Sequence, residues 1–236
     1  MSMIDISNEK RRNALERVFF HDVLNVVGSL HGISSVLAEN NDFKEIKGFT
    51  PHLQAITDEI TLQIKEFRQL SSAEKEDLQV KISIIDAMLV LQQLKRTFMP
   101  HPIFKDKILA VDIRAEKLIH LSDSSLLSRI LGNVVKNAAE ASVAGGKISI
   151  SCNDLGDKVL YQVHHVGVIS RNVQMQIFLR SFSTHSSNRG LGTYSMKLFG
   201  KNYLGGKVCF KSDEATGTTF YLELPKEYQM KAKRAN

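Results

Sequence analysis

Three groups of residues in this chain are of types that do chemistry. The stretch RVFFHDVLNVVGSLHG, residues 17 to 32, sets an imidazole, a carboxylate and an amide, His21, Asp22 and Asn25, within about one turn of an apolar helical pattern. In RILGNVVKNAAEAS, Asn133 and Asn137 stand four residues apart and share one helical face. Two amide oxygens so placed can hold a hydrated Mg²⁺ and orient phosphates, because magnesium prefers hard oxygen ligands and keeps much of its water. Gly190 and Gly192 come just before a helix opened by Thr193. Glycines there let backbone N–H groups and the positive end of the helix approach a phosphate closely. Each group also has a plain structural explanation: a polar edge on a buried helix for the first two, a turn between elements for the third.

The elements that would position these groups follow two grammars. From Leu15, the residues Phe19, Val23, Val26, Leu30, Ile33 and Leu37 recur in steps of three and four, which predicts a long helix ending near Asn40 and Asn41. Leu53, Ile56, Ile60, Ile64, Phe67 and Leu70 predict a second helix after Thr50, with Pro51 at its first helical position. A lone helical hairpin buries too little apolar surface, so a homodimer forming a four-helix bundle is expected. The polar run SSAEKED, residues 71 to 77, predicts a linker and divides the chain into domains 8–76 and 77–228.

Beyond the linker the pattern predicts a helix near 83 to 98 and short strands in KILAVDI and KLIHL. A helix follows from Ser124 to about Ser142, with Leu131, Val134, Val135 and Ala138 on its buried face, and then the paired strands KISISCND and DKVLYQVHH. A short helix near 171 to 179, another after the glycines and a closing hairpin of KVCFKSD and TTFYLELP complete the chain. That order predicts an α+β protein: an N-terminal helical hairpin followed by an α/β sandwich with helices on one face of a mixed sheet.

The totals fit this picture. The 236 residues exceed the common single-domain length, and 43% hydrophobic with 24% charged residues is ordinary for a globular chain. Two cysteines far apart in strand-like runs, Cys152 and Cys209, form no disulfide framework and suit a reducing cytoplasm. No apolar run reaches the roughly 20 residues of a membrane helix, so no membrane insertion is expected. The net charge of +6 suits phosphates or an acidic partner, but no basic stripe interleaved with aromatics points to nucleic acid.

Five segments, in order, resemble the signature boxes of two-component sensor histidine kinases. FFHDVLN resembles the phosphoacceptor box, NVVKNAAEA the asparagine box, IFLRSFST the phenylalanine box, RGLG the second glycine box and ATGTTFYLELP the closing strand, and the resemblance spans residues 15 to 225. It implies a dimerisation and phosphoacceptor hairpin followed by a Bergerat-type ATP-binding domain. It further implies that His21 is the phosphoacceptor and that Asp22 holds the proton of one ring nitrogen while the other attacks. Asn25 would orient water against a phosphorylated receiver. Asn133, Asn137, Gly167, Gly190, Gly192 and Thr193 would contact ATP, with Asn137 holding Mg²⁺. Val26 stands where the family has a common proline, so no proline bend is expected.

One position departs. The family's first glycine box reads Asp-x-Gly-x-Gly, but this chain has VHHVGVIS, with His165 at the aspartate position, Gly167 retained and the second glycine missing. The aspartate accepts a hydrogen bond from the adenine amino group. A neutral imidazole nitrogen can also accept, but a weaker discrimination for adenine is expected, with further loss below about pH 6.5 as the ring protonates. Two functions stand open: an ATP-dependent protein histidine kinase that autophosphorylates His21 and passes the phosphoryl group to a response-regulator aspartate, or a phosphotransfer or pseudokinase scaffold that has lost ATP binding. The asparagine and glycine boxes favour the first and His165 the second. The expected partners are a second copy, a receiver domain, and a separate sensor protein or a sensor domain outside this sequence.

Overall fold

The computed structural model describes residues 3–39, 43–112, 118–179 and 192–228. They form two compact units, one ending at Leu78 and the other beginning at Gln79.

The first unit is a hairpin of α1 (Met3–Glu39) and α2 (Phe43–Glu74). The predicted seam packs: the rings of Phe19 and Phe67 stack with centroids 3.9 Å apart, and Val26 is buried. Ile64 departs from that seam and is exposed. Both ends of α2 also differ from expectation. The helix begins at Phe43, because Phe43, Ile46 and Phe49 carry the three-and-four spacing upstream of Leu53, and Pro51 lies inside it. There the proline removes one intrahelical hydrogen bond without ending the helix. At the other end α2 continues through Ser71–Glu74 into the expected linker, since alanine and glutamate are good helix formers and Ala73 is buried. It closes at Glu76, whose φ of 59° is the left-handed conformation usually left to glycine. The Glu76 N–H donates to the Ala73 carbonyl at 3.1 Å and the Asp77 N–H to the Ser72 carbonyl at 2.9 Å.

The second unit opens with β1 (Ser83–Asp86) and α3 (Ala87–Phe98). Residues 83–86, expected as the first turn of a helix, instead pair antiparallel with β3 (Ile119–Ser122), Ser83 opposite Ser122. Asp86 ends the strand and starts the helix, its carboxylate accepting the N–H groups of Met88 at 3.0 Å and Leu89 at 3.2 Å. After β2 (Ile108–Val111) and β3 come α4 (Ser124–Glu140), β4 (Lys147–Asp154), β5 (Lys158–His165) and α5 (Arg171–Gln174), the last shorter than expected. α6 (Gly192–Leu198) runs into a π-helical turn, Phe199–Tyr203, ahead of β6 (Lys207–Asp213) and β7 (Gly217–Pro225).

Five strands form one mixed sheet in the order β2-β4-β5-β7-β6, parallel only between β2 and β4. Alternation along β5 buries Val159, Tyr161, Val163 and His165 on the face covered by helices. Onto that face α4 places Leu127, Ile130, Leu131, Val134, Val135 and Ala138, all buried. Asp123 caps α4 by accepting from Ser125 at 2.9 Å and Leu126 at 3.0 Å, while its other oxygen accepts the Lys81 N–H at 2.7 Å.

A polar pair sits in this core. His120 Nε2 and the Tyr161 hydroxyl lie 2.7 Å apart with their rings edge to face, and His120 Nδ1 has no partner among the described residues. Burial lowers the His120 pKa and raises that of Tyr161, so both are neutral. Tyr161→Phe leaves both imidazole nitrogens unpaired in the core and is expected to cost about 1 to 3 kcal/mol, read as a lower urea midpoint at pH 7.5.

Candidate functional site

The apolar stripe that docks α4 on the sheet leaves Asn133 and Asn137 on its flank, both half-buried. The two amides do different work. The Asn133 Nδ2 donates to Ser195 Oγ at 3.2 Å, and that hydroxyl donates to the Gly192 carbonyl at 2.8 Å, so Asn133 ties α4 to the start of α6. Asn137 is half-buried and makes no side-chain hydrogen bond among the described residues. No group of three His, Cys, Asp or Glu side chains among the described residues could hold a metal ion unaided. Neutral amide oxygens are hard donors of the kind a hydrated Mg²⁺ accepts.

Near the C-terminal end of α4 lies His165, the last residue of β5. It stands opposite Thr218 of β7, which in turn stands opposite Ser212 of β6, making a polar row across three strands on the helix-covered side. The two hydroxyls of the row are fully hydrogen-bonded. The Ile169 N–H donates to Ser212 Oγ at 2.9 Å, Ser212 Oγ and Thr218 Oγ1 are 2.7 Å apart, and Thr218 Oγ1 donates to the Gly167 carbonyl at 2.7 Å. Gln174 Nε2 fastens the same loop by donating to the Ile169 carbonyl at 2.7 Å.

The Gly167 N–H donates to His165 Nδ1 at 3.1 Å. Glycine is required there, because a Cβ would meet the Ala141 carbonyl and His165 Nδ1 at 2.9 Å each. Gly217 is likewise fixed: its φ is +75°, and a Cβ would lie 2.5 Å from the His165 carbonyl oxygen. His165 is 2% exposed, and desolvation, helped by the neighbouring His164, pushes its pKa down to about 4. The expectation that this ring protonates near pH 6.5 is therefore corrected: buried, it stays neutral well below that.

Of the other predicted residues, Gly192 opens α6 with nothing within 4 Å of the place a Cβ would take, and Thr193 is buried one residue later. Gly190 lies outside the described residues. His21 and Asp22 lie on α1, but their side chains are also outside the described part; Asn25, one turn on, is exposed. Ser195, Ser212 and Thr218 were not singled out from the sequence. Their only signal there is a hydroxyl at a position that alternation assigns to the buried face.

Residues 122–228 match the family described as histidine kinase-, DNA gyrase B- and HSP90-like ATPases, which gives the class of the second unit. Over longer spans the chain is 24% identical to the sensor protein KdpD of Clostridium acetobutylicum, across 96% of this chain and 26% of that protein. It is 26% identical to the sensor protein VanS of Enterococcus faecium, across 92% of this chain and 58% of that one. The structure of histidine kinase ThkA in complex with response regulator protein TrrA superposes with a TM-score of 0.65 at 21% identity, covering 96% of this chain and 67% of ThkA. The chain is thus similar over nearly its whole length to sensor proteins and to a histidine kinase of known structure. It spans about a quarter of the length of KdpD and under two thirds of VanS. No helix among the described residues is long and apolar enough to cross a membrane.

The two buried histidines make stability depend on pH. Their folded pKa values lie below the roughly 6.5 of an unfolded imidazole, so the unfolded chain binds more protons as pH drops. Stability from keeping them neutral is complete above about pH 6.5 and is lost as pH falls toward their folded values. The melting temperature is expected to be flat from pH 8 to 7 and to decline from 6.5 to 4.5. His165→Asn, which keeps an acceptor for Gly167 but cannot protonate, should reduce that decline in a calorimetric pH series.

Proposed function

We propose that this chain is the dimerising, phosphoaccepting and nucleotide-binding part of a protein histidine kinase, in which a ring nitrogen of His21 attacks the γ-phosphorus of a bound nucleoside triphosphate. The phosphorus–oxygen bond to the leaving diphosphate breaks as the phosphorus–nitrogen bond forms, and the phosphoryl group later passes to a receiver-domain aspartate. What carries the reading is the presence in one chain of an ATPase-family domain with an unpartnered amide at Asn137 and a helical hairpin bearing His21. Residues 8–76 would serve as the dimerisation and phosphotransfer hairpin and 77–228 as the catalytic domain. Asn137, with Asn133 beside it, would hold Mg²⁺, which supplies charge neutralisation at the phosphates. Gly190, Gly192 and Thr193 would offer backbone and hydroxyl donors to the same phosphates. Asp22 would keep the proton on one ring nitrogen of His21, and Asn25 would position water for removal of the phosphoryl group from a receiver. ThkA, a structural relative, is known in complex with a response regulator protein, which supports a receiver domain as partner. The signal would reach this part of the molecule from a separate sensor protein or a further domain, and the expected location is the cytoplasm.

A homodimer is supported by a second apolar stripe that lies outside the hairpin seam. Phe20, Leu24 and Val27 on α1 are 59%, 67% and 41% exposed at helical spacing, and Leu62 on α2 is 55% exposed. Large side chains in a row on a helix face are normally covered. The rival reading, a phosphotransfer scaffold without ATP binding, is favoured by one observation alone, the imidazole in place of the adenine-reading carboxylate.

With labelled nucleotide and Mg²⁺, acid-labile phosphate should appear on the parent protein and be abolished in His21→Ala, while Asp22→Asn slows it without stopping it. Normal labelling of His21→Ala would place the acceptor elsewhere. Light scattering should give a dimer for the parent and a monomer or a weakened dimer for Leu24→Glu.

A further inference from the structure

We propose that the base end of this nucleotide site offers a hydrogen-bond donor, the Nε2–H of His165, and therefore takes a 6-oxopurine triphosphate, of guanine or hypoxanthine, in preference to ATP. The inference rests on the reading of the second unit as a nucleotide-binding domain with the base at the end of β5.

Each hydrogen bond of the polar row has one possible direction. The Ile169 N–H can only donate, so Ser212 Oγ accepts from it at 2.9 Å and keeps its own proton to give. The Gly167 carbonyl can only accept, so the Thr218 hydroxyl spends its proton there at 2.7 Å. Ser212 must then be the donor in the 2.7 Å contact with Thr218. With every hydroxyl direction fixed, residue 167 is clamped through its carbonyl, and its lack of a Cβ lets it sit against the ring and the Ala141 carbonyl. Its N–H points at His165 Nδ1 at 3.1 Å. A ring nitrogen that accepts carries no proton, so the proton of the neutral imidazole is on Nε2. Nε2 has no partner among the described residues.

A carboxylate at this position accepts from an exocyclic amine. An imidazole locked in this tautomer cannot. Against the exocyclic amine of a 6-aminopurine it sets donor against donor, whereas the O6 of a 6-oxopurine is an acceptor. Protonation would not help adenine, since the imidazolium donates from both nitrogens. A site built to hydrogen-bond one group discriminates against a mismatched analogue by about ten-fold or more.

The test is calorimetry of the whole chain with ATP, GTP and ITP at equal Mg²⁺, on the parent and on His165→Asp, together with long-range ¹H–¹⁵N NMR of the His165 ring, assigned by its loss in the variant. The expected result is GTP and ITP binding about ten-fold tighter than ATP, a reversal in His165→Asp, and a ring protonated at Nε2. Equal or tighter binding of ATP by the parent overturns the base preference and leaves the nucleotide site standing. A ring protonated at Nδ1 overturns the hydrogen-bond assignment itself. No heat from any of the three nucleotides overturns this inference together with the nucleotide-binding reading beneath it.

Discussion

Helix α4 has to build the core and present the site with one set of residues. Its pitch of 3.6 residues lets it do both: Leu127, Ile130, Leu131, Val134, Val135 and Ala138 form a buried stripe, and the same rotation turns Asn133 and Asn137 to the flank. The stripe sets where the amides stand, because sliding or rotating the helix on the sheet would require repacking side chains that have almost no exposed surface. At its far end the Ala141 carbonyl lies so close to Gly167 that only a residue without Cβ fits between it and His165. One helix thus fixes the separation between the Asn133–Ser195 tie and the His165 loop. Nucleotide recognition, on the function proposed, would inherit its geometry from apolar packing.

The polar row on β5, β7 and β6 meets a different constraint. Buried hydroxyls are costly unless paired, and here each proton has a single available acceptor. The loop after β5 is held by side chains that follow it by 43 and 51 residues, so its shape is a tertiary property. That explains how a segment without helix or strand structure, residues 167–170, can hold a ring nitrogen in a defined protonation state.

What could be read in the sequence divides along the same line. The hairpin seam was legible because an uninterrupted three-and-four spacing depends on local geometry alone, and the asparagine pair was legible for the same reason. The ends of α2 were not. Phe43 through Phe49 override Pro51, and the helix closes with Glu76 in a conformation whose usual signal is glycine. β1 was misread because SIID is too short for periodicity to separate strand from helix, and only its pairing with β3 decides. Ser212 and Thr218 carry no such signal, since a hydroxyl in a strand gains its role from cross-strand register, and the second apolar stripe on α1 is hidden behind the first, which alone accounts for a helix.

His165 shows the limit most clearly. Its residue type reveals that a carboxylate has been replaced, and the first inference from type alone is a weaker acceptor that fails near pH 6.5. The structure reverses both parts, because a backbone N–H two residues on occupies the only nitrogen that could accept, and burial pushes the pKa down to about 4. The residue is then a donor, and a donor can serve a ligand as an acceptor does. A pocket with no ligand to hold gains by filling with apolar side chains, which need no partners. Here the end of β5 keeps a polar ring with one nitrogen unpartnered among the described residues, and α4 keeps an amide at Asn137 with no side-chain partner among them. On the function proposed, both groups would face the bound nucleotide.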